Sequence, residues 1–174
     1  MILAYLEIES PVGPLRLVAS ASSLVAILWK DERFGRVRLE PMGPHEDPPH
    51  APHALVLRAA ARQLEEYFSG ERREFTVPLD PIGTDFQKRV WRELSRIPYA
   101  RTASYGEIAR AVGSPGAARA VGAANGRNPL SIIVPCHRAI GSDGKMVGFA
   151  AGLPAKRTLL ALEARNGDRR PQAT

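Results

Sequence analysis

The sequence predicts an α+β protein in two unlike parts, and three observations predict it. Short β-type runs crowd the first thirty residues, capped helix starts crowd the region after residue 83, and charge is segregated in the same sense. Residues 1–84 carry 9 Lys+Arg against 12 Asp+Glu, whereas residues 85–174 carry 15 against 6. The basic field of the second part suits a polyanion, because phosphate contacts release counterions and dominate nucleic-acid affinity. With 174 residues and 44% hydrophobic content, the chain can fill one sizeable domain or two small ones.

Leu3 to Ile8, Leu15 to Ala19 and Leu24 to Trp29 read as strands of a small antiparallel meander, separated by the turn-like Pro11-Val12-Gly13-Pro14 and Ser20-Ala21-Ser22-Ser23. Residues 41–53 hold five prolines and no apolar periodicity, which predicts an exposed loop with His45, His50 and His53 solvated rather than ligating a metal. A helix from Ala54 to Phe68 follows, with Leu57, Ala61, Leu64 and Phe68 on one face and Gly70 after its end. Glu74 to Leu79 reads as a further strand, and Pro78-Leu79-Asp80-Pro81 as the exit from a first domain, residues 1–80.

A second domain, residues 83–166, opens on Thr84-Asp85-Phe86-Gln87, a capping box for a helix whose apolar face is Phe86, Val90, Leu94 and Ile97. Ser104-Tyr105-Gly106-Glu107 is a second capping box, leading into Ile108, Ala109 and Val112. Ser114 as N-cap with Pro115 at the first helical position predicts a third helix ending at Asn125-Gly126. Two short helices joined through Gly113-Ser114-Pro115 have a helix-turn-helix layout. On the third helix Ala117, Val121 and Ala124 can pack inward, while Gly116, Arg119, Gly122, Ala123 and Gly126 leave the other face nearly bare. Interior glycine costs a helix roughly 1 kcal/mol against alanine, and close approach to another surface, DNA here, is the natural compensation. Pro154 opens a last helix, Ala155 to Arg165, and residues 167–174 read as a disordered tail.

The N-terminus shows no basic leader and no apolar run long enough to span a bilayer, and one cysteine can form neither an internal disulfide nor a thiolate metal cage. A soluble cytoplasmic protein, monomeric when free and needing no cofactor or metal, is expected. That cysteine, Cys136, ends the apolar run Ile132-Ile133-Val134-Pro135, read as a strand, and is followed by His137 and Arg138, either of which would favour the thiolate. His137 is the only histidine of the second half, and Glu163 lies one turn beyond Leu159 and Leu160, so Cys136, His137 and Glu163 can form a nucleophile, base and orienter relay. On an extended segment adjacent side chains point to opposite faces, so His137 would act through a water. Glu163 paired only with Arg138 or Lys156 is the plain structural alternative.

In these residues the chain resembles the O6-alkylguanine-DNA alkyltransferase family, the methylated-DNA protein-cysteine methyltransferases. The resemblance runs through Gly83-Thr84-Asp85-Phe86-Gln87, Ile97-Pro98-Tyr99, Ser104-Tyr105-Gly106-Glu107, Ala117-Ala118-Arg119-Ala120-Val121-Gly122, Asn128-Pro129 and Pro135-Cys136-His137-Arg138. It is looser in the first half, in strand order and Tyr67-Phe68-Ser69-Gly70. It implies a ribonuclease-H-like N-terminal domain, a winged helix-turn-helix-like C-terminal domain in the minor groove, and irreversible, single-turnover transfer of the alkyl group of O6-alkylguanine in duplex DNA to Cys136. O4-alkylthymine is a second candidate substrate.

The same resemblance implies that His137 is the water-mediated base, Glu163 its orienter, and Asn128 the brace of the segment before the thiol. Arg119 fills the stack vacated by the flipped nucleotide, and Tyr105 crowds the phosphate and donates at guanine N3. Tyr105, Ala118, Arg119, Gly122, Arg127 and Arg138 form the DNA surface; Pro135, Val147, Phe149, Ala150 and Ala151 form the substrate pocket. Chemistry on a base demands extrusion, and a wedge in the vacated stack lowers its cost, which agrees with the reading of the residues themselves. Phe149 stands where relatives commonly carry tyrosine. A non-catalytic lesion sensor lacks the acceptor cysteine, a thiol hydrolase leaves Arg119 and the bare helix unexplained, and a plain helix-turn-helix regulator has no use for the thiol.

Overall fold

The computed structural model describes residues 2–31, 35–39, 43–44, 51–145 and 149–167. Strands β1 (Ala4–Ile8), β2 (Leu15–Ala19) and β3 (Leu24–Trp29) form the expected antiparallel meander, and the short β4 (Gly43–Pro44) adds to β1 in parallel, giving the order β3-β2-β1-β4. Alternation along β2 divides the sheet's two faces. Leu15, Leu17 and Ala19 enter the main core, and Val18 joins Leu3, Val25 and Ala26 in a smaller cluster under Val37 and Leu39.

Helix α1 (Pro52–Phe68) starts two residues earlier than its apolar pattern suggests, with proline in its first turn, so His53 lies in the helix. Its buried stripe is Ala54, Leu57, Ala60, Gln63, Leu64 and Tyr67, rotated from the expected Ala61 and Phe68, which are half-buried. Residues 74–79 do not form the expected strand. Gln63 Oε1 takes the Thr76 and Val77 amides, leaving only a single bridge from Leu79 to Leu24. His45 and His50 lie outside the described residues.

Helix α2 (Asp85–Ser95) and helix α3 (Tyr105–Ala111) begin on the two predicted capping boxes, Thr84 with Gln87 and Ser104 with Glu107, each closed in both directions. Such caps stabilise by about 1 kcal/mol each. Helix α4 (Ala118–Gly126) starts later than expected. Ser114 and Pro115 are spent in a turn closed by the Ala117 amide on the Ser114 carbonyl, and the helical ladder begins with Val121 on Ala117. Gly116 therefore lies outside the helix.

The segment before Cys136 is a buried turn, not a strand. Val134 donates to the Leu130 carbonyl, Ile132 sits at φ 77°, and Cys136–Arg138 form one 3-10 turn ahead of strand β6 (Ala139–Ile140). β6 pairs in parallel with β5 (Ala103–Ser104). Helix α5 (Leu153–Gly167) takes in Asn166 and Gly167, both expected outside the last helix; residues 168–174 lie outside the described residues. One buried cluster joins Leu17, Ile27 and Leu64 of the first part to Leu94, Val121, Cys136 and Leu159 of the second. No helix among the described residues is long and apolar enough to cross a membrane.

Candidate active site

Local ladders deliver the site. Pairing of Ala103 with Ala139 and Ser104 with Ile140 sets the start of α3 beside the end of the 3-10 turn, so Tyr105 and Cys136 come together from 31 positions apart in sequence. Asn128 fastens the other side of the turn: its Nδ2 donates to Val134 O at 2.8 Å and its Oδ1 accepts from Leu130 N at 3.0 Å. Between those two contacts lies Ile132, a β-branched residue in left-handed backbone, a conformation that persists only where neighbours over-determine it.

Glu163 is fully buried and collects donors from three segments. Its Oε1 accepts from Tyr67 Oη at 2.8 Å, Arg138 Nη2 at 2.8 Å and His137 Nε2 at 2.7 Å. Its Oε2 accepts from Arg138 Nε at 3.0 Å and Ala100 N at 3.2 Å. Burial alone would raise this carboxyl; hydrogen bonds and charge from His137 and Arg138 outweigh it and bring the pKa down to about 2. Burial holds the His137 imidazole below its ordinary pKa despite the carboxylate, so it is neutral at neutral pH. With Nε2–H committed to Glu163, the acceptor nitrogen is Nδ1, which is buried and makes no hydrogen bond among the described residues.

Arg138 differs from expectation. Its side chain is 7% exposed, with the guanidinium on Glu163 and on Ile97 O at 2.7 Å, so it is a partner of the carboxylate and not of a DNA phosphate. The expected choice between Glu163 on His137 and Glu163 on Arg138 also dissolves, because the carboxylate takes both.

Cys136 is 1% exposed, and its Sγ lies 3.9 Å from Ser131 Oγ. Burial pushes the thiol up. Asn128 and Ser131 pull it back by hydrogen bonding, and Arg36 and Lys156 by charge. The cations acting on the sulfur are therefore Arg36 and Lys156 rather than the adjacent Arg138. Burial, then the proximity of Cys136, raises the Tyr105 hydroxyl against a hydrogen bond from the Asn125 side chain that pulls it back, so it stays a proton donor.

On α4, Val121, Ala124 and Asn125 are buried, while Arg119, Ala120, Ala123 and Gly126 are exposed, as is Arg127 at its C-cap; Ala118 and Gly122 are half-buried. A Cβ on Gly122 would meet the Tyr105 ring at 3.7 Å, so the bare face of α4 borders the site. Pro135 is buried beside Cys136, and Phe149, Ala150 and Ala151 are half-buried, with the Phe149 ring edge-on to Trp29 at 5.7 Å. Val147 lies outside the described residues. Among those residues no cluster of three or more His, Cys, Asp or Glu side chains could hold a metal.

Three site residues escape sequence reasoning, Tyr67, Arg36 and Ser131, and Lys156, expected only as an alternative partner of Glu163, donates to Ala139 O. Tyr67 carried a signal, lying three positions after Leu64 on the apolar stripe with a hydroxyl that would need a partner once buried. Arg36 carried none.

Comparison with known proteins agrees with this geometry. The family described as 6-O-methylguanine DNA methyltransferase matches through its ribonuclease-like domain over residues 3–81 and its DNA binding domain over residues 85–165. The methylated-DNA–protein-cysteine methyltransferase of Mycobacterium tuberculosis is 49% identical over 159 residues, covering 91% of each chain, and that of Methanosarcina barkeri is 49% identical, covering 91% of this chain and 96% of its own. The crystal structure of Mycobacterium tuberculosis OGT in complex with DNA superposes with a TM-score of 0.81 at 48% identity over 94% of each chain. That of the O6-methylguanine methyltransferase from the same organism gives 0.83 at 46% identity over 97% of each. With a sheet domain, a helical DNA-binding domain and one buried thiol in a histidine-carboxylate setting, the chain belongs to the 6-O-methylguanine DNA methyltransferase family, DNA-repair enzymes that move an alkyl group from DNA to a protein cysteine.

Proposed function

We propose that Cys136 is the acceptor, taking the alkyl group from O6 of a guanine flipped out of duplex DNA, irreversibly and once per molecule. The observation that carries this is the setting of the thiol. Cys136 is the only cysteine of the chain and precedes His137 in the same buried 3-10 turn, where Nε2 is held by Glu163 and Nδ1 is buried with no hydrogen bond among the described residues. A protein-cysteine methyltransferase with one cysteine has no other acceptor.

The thiol rests protonated because it is buried. His137 Nδ1 takes its proton through a water, and Glu163 stabilises the imidazolium that forms. The sulfur then attacks the alkyl carbon in line. An S–C bond forms, the C–O6 bond breaks and its electrons pass into the guanine ring. Tyr105 donates at N3 as that charge develops, so guanine leaves neutral and the proton held by His137 balances the one supplied. S-alkylcysteine is stable to water, and nothing in the site regenerates the thiol.

Arg119 on the exposed face of α4 and Arg127 at its C-cap support minor-groove binding, with Arg119 filling the vacated stack and Gly122 and Ala118 allowing close approach. Phe149, Ala150 and Ala151 wall the pocket for the flipped base. A free, unpaired thiol supports a reducing, cytoplasmic setting, with the protein monomeric when free.

The test is titration of the protein against a duplex carrying O6-methylguanine within a restriction site. Repair should stop at one lesion per protein, and Cys136→Ser should bind the duplex yet repair none. Repair by Cys136→Ser, or repair well beyond one equivalent, contradicts the assignment.

A further inference from the structure

The N-terminal half meets the acceptor segment at one buried guanidinium. Arg36 follows β3 and is 8% exposed. Its Nη1 donates to the backbone carbonyl of Asn128 and its Nη2 to Ile27 O at 2.8 Å, while the Ile27 amide donates to Pro129 O at 2.8 Å. The Asn128-Pro129 peptide is thus gripped from both sides by residues about a hundred positions earlier in the chain.

From there three links reach the nucleophile. Arg36 holds the Asn128 carbonyl, the Asn128 amide nitrogen holds Val134 O at 2.8 Å, and the amide of Cys136 donates to that same Val134 oxygen at 2.8 Å. Beyond the thiol, Lys156 Nζ donates to Ala139 O at 2.6 Å, so the turn bearing Cys136 is anchored by a cation on each side. We infer that Arg36 is a positioning residue for alkyl transfer: it clamps the Asn128 peptide, and through it the N-terminal half fixes where Cys136 points.

A guanidinium suits this task because its fork can hold two carbonyls in fixed directions. Among the described residues, the groups acting on Cys136 are Asn128 and Ser131 from the preceding turn, Arg36 after β3, Lys156 from α5 and Tyr105 from α3. Arg36 therefore acts twice, by geometry on the turn and by charge on the sulfur.

The inference rests on Cys136 being the acceptor, so each experiment begins with wild-type protein and mass mapping of that cysteine. Single-turnover transfer is measured at saturating O6-methylguanine duplex, and the pH midpoint of Cys136 alkylation by iodoacetamide is measured alongside. Arg36→Met is expected to slow transfer about tenfold or more, as small displacements of a reacting group do, and to move the midpoint to higher pH. Arg36→Lys keeps the charge but loses one carbonyl, so its midpoint should stay at the wild-type value while transfer is slowed. Arg36→Met that melts like wild type, transfers within about twofold of it and keeps the midpoint overturns the inference. If Arg36→Met does not fold, Arg36→Lys decides alone, and wild-type transfer by that variant overturns the clamp. Failure of wild-type protein to carry the methyl group on Cys136 would instead overturn the acceptor assignment and is read separately.

Discussion

The exposed face of α4 and the buried surroundings of Cys136 are neighbours built on opposite rules. The helix face is a local product: a short helix with glycine at 122 and 126, alanine at 120 and 123, the exposed Arg119 and, at its C-cap, the exposed Arg127. The acceptor site is assembled over long range. Glu163 is held by residues 25, 26, 63 and 96 positions away in sequence, and the Asn128 peptide by Arg36 at a separation of 92. A surface that meets a variable partner can afford bare backbone, whereas charges sealed from water must each find a partner or cost several kcal/mol. Substitutions at the site should therefore damage stability and chemistry together, and substitutions on the face should separate them.

Glu163→Gln should do the most damage. It leaves Arg138 a buried, uncompensated cation, so a loss of about 3–5 kcal/mol is expected in the denaturant midpoint, with transfer abolished. The same site sets the acid limb of stability. Glu163 is lowered to about 2, so its contribution is full above its unfolded value near 4.3 and is lost as pH falls toward 2. His137 is also lowered, and a histidine kept neutral by the fold favours unfolding once the unfolded chain protonates, below about pH 6.5. Both act in one direction, so thermal melts should show stability falling steadily from about pH 6.5 downward. A melting temperature flat to pH 4 would contradict the neutral-histidine, ionised-glutamate assignment.

Tyr105→Phe stands on the border between the two regions. The ring that packs near Gly122 stays and only the hydroxyl goes, so single-turnover transfer should fall by about a hundredfold with the fold intact. Arg119→Ala should leave the melt within about 0.5 kcal/mol and weaken binding of the damaged duplex by about 1–3 kcal/mol, read by titration at fixed salt. Gly122→Ala is the smallest and sharpest test of the comparison. The added methyl meets Tyr105 at ordinary contact distance, so the isolated protein should gain up to about 1 kcal/mol while DNA binding weakens. A gain in both would mean that the bare face is not a contact surface.

The same contrast explains what could be read from the sequence. The first three strands, both capping boxes and the exposed Arg119 are local patterns, and they appear where the residues indicate. The Ser114-Pro115 start failed because a turn used those residues before the helix began. Ile132-Ile133-Val134 imitated a strand because apolar β-branched runs suit any buried segment; Asn128, bridging Leu130 and Val134, bends it instead. Arg138 looked like a DNA contact because sequence does not show that a buried carboxylate lies opposite it. The pairing of Glu163 with His137 was legible, but Tyr67 and Arg36 reach the site only through the tertiary fold.

The central claim is that Cys136 receives the alkyl group, and peptide mapping by mass after incubation with an O6-methylguanine duplex tests it most directly, with undamaged duplex as control. One methyl group on the Cys136 peptide, never exceeding one per protein, is the expected result. An unmodified Cys136 peptide in protein that has bound or repaired the duplex would contradict it.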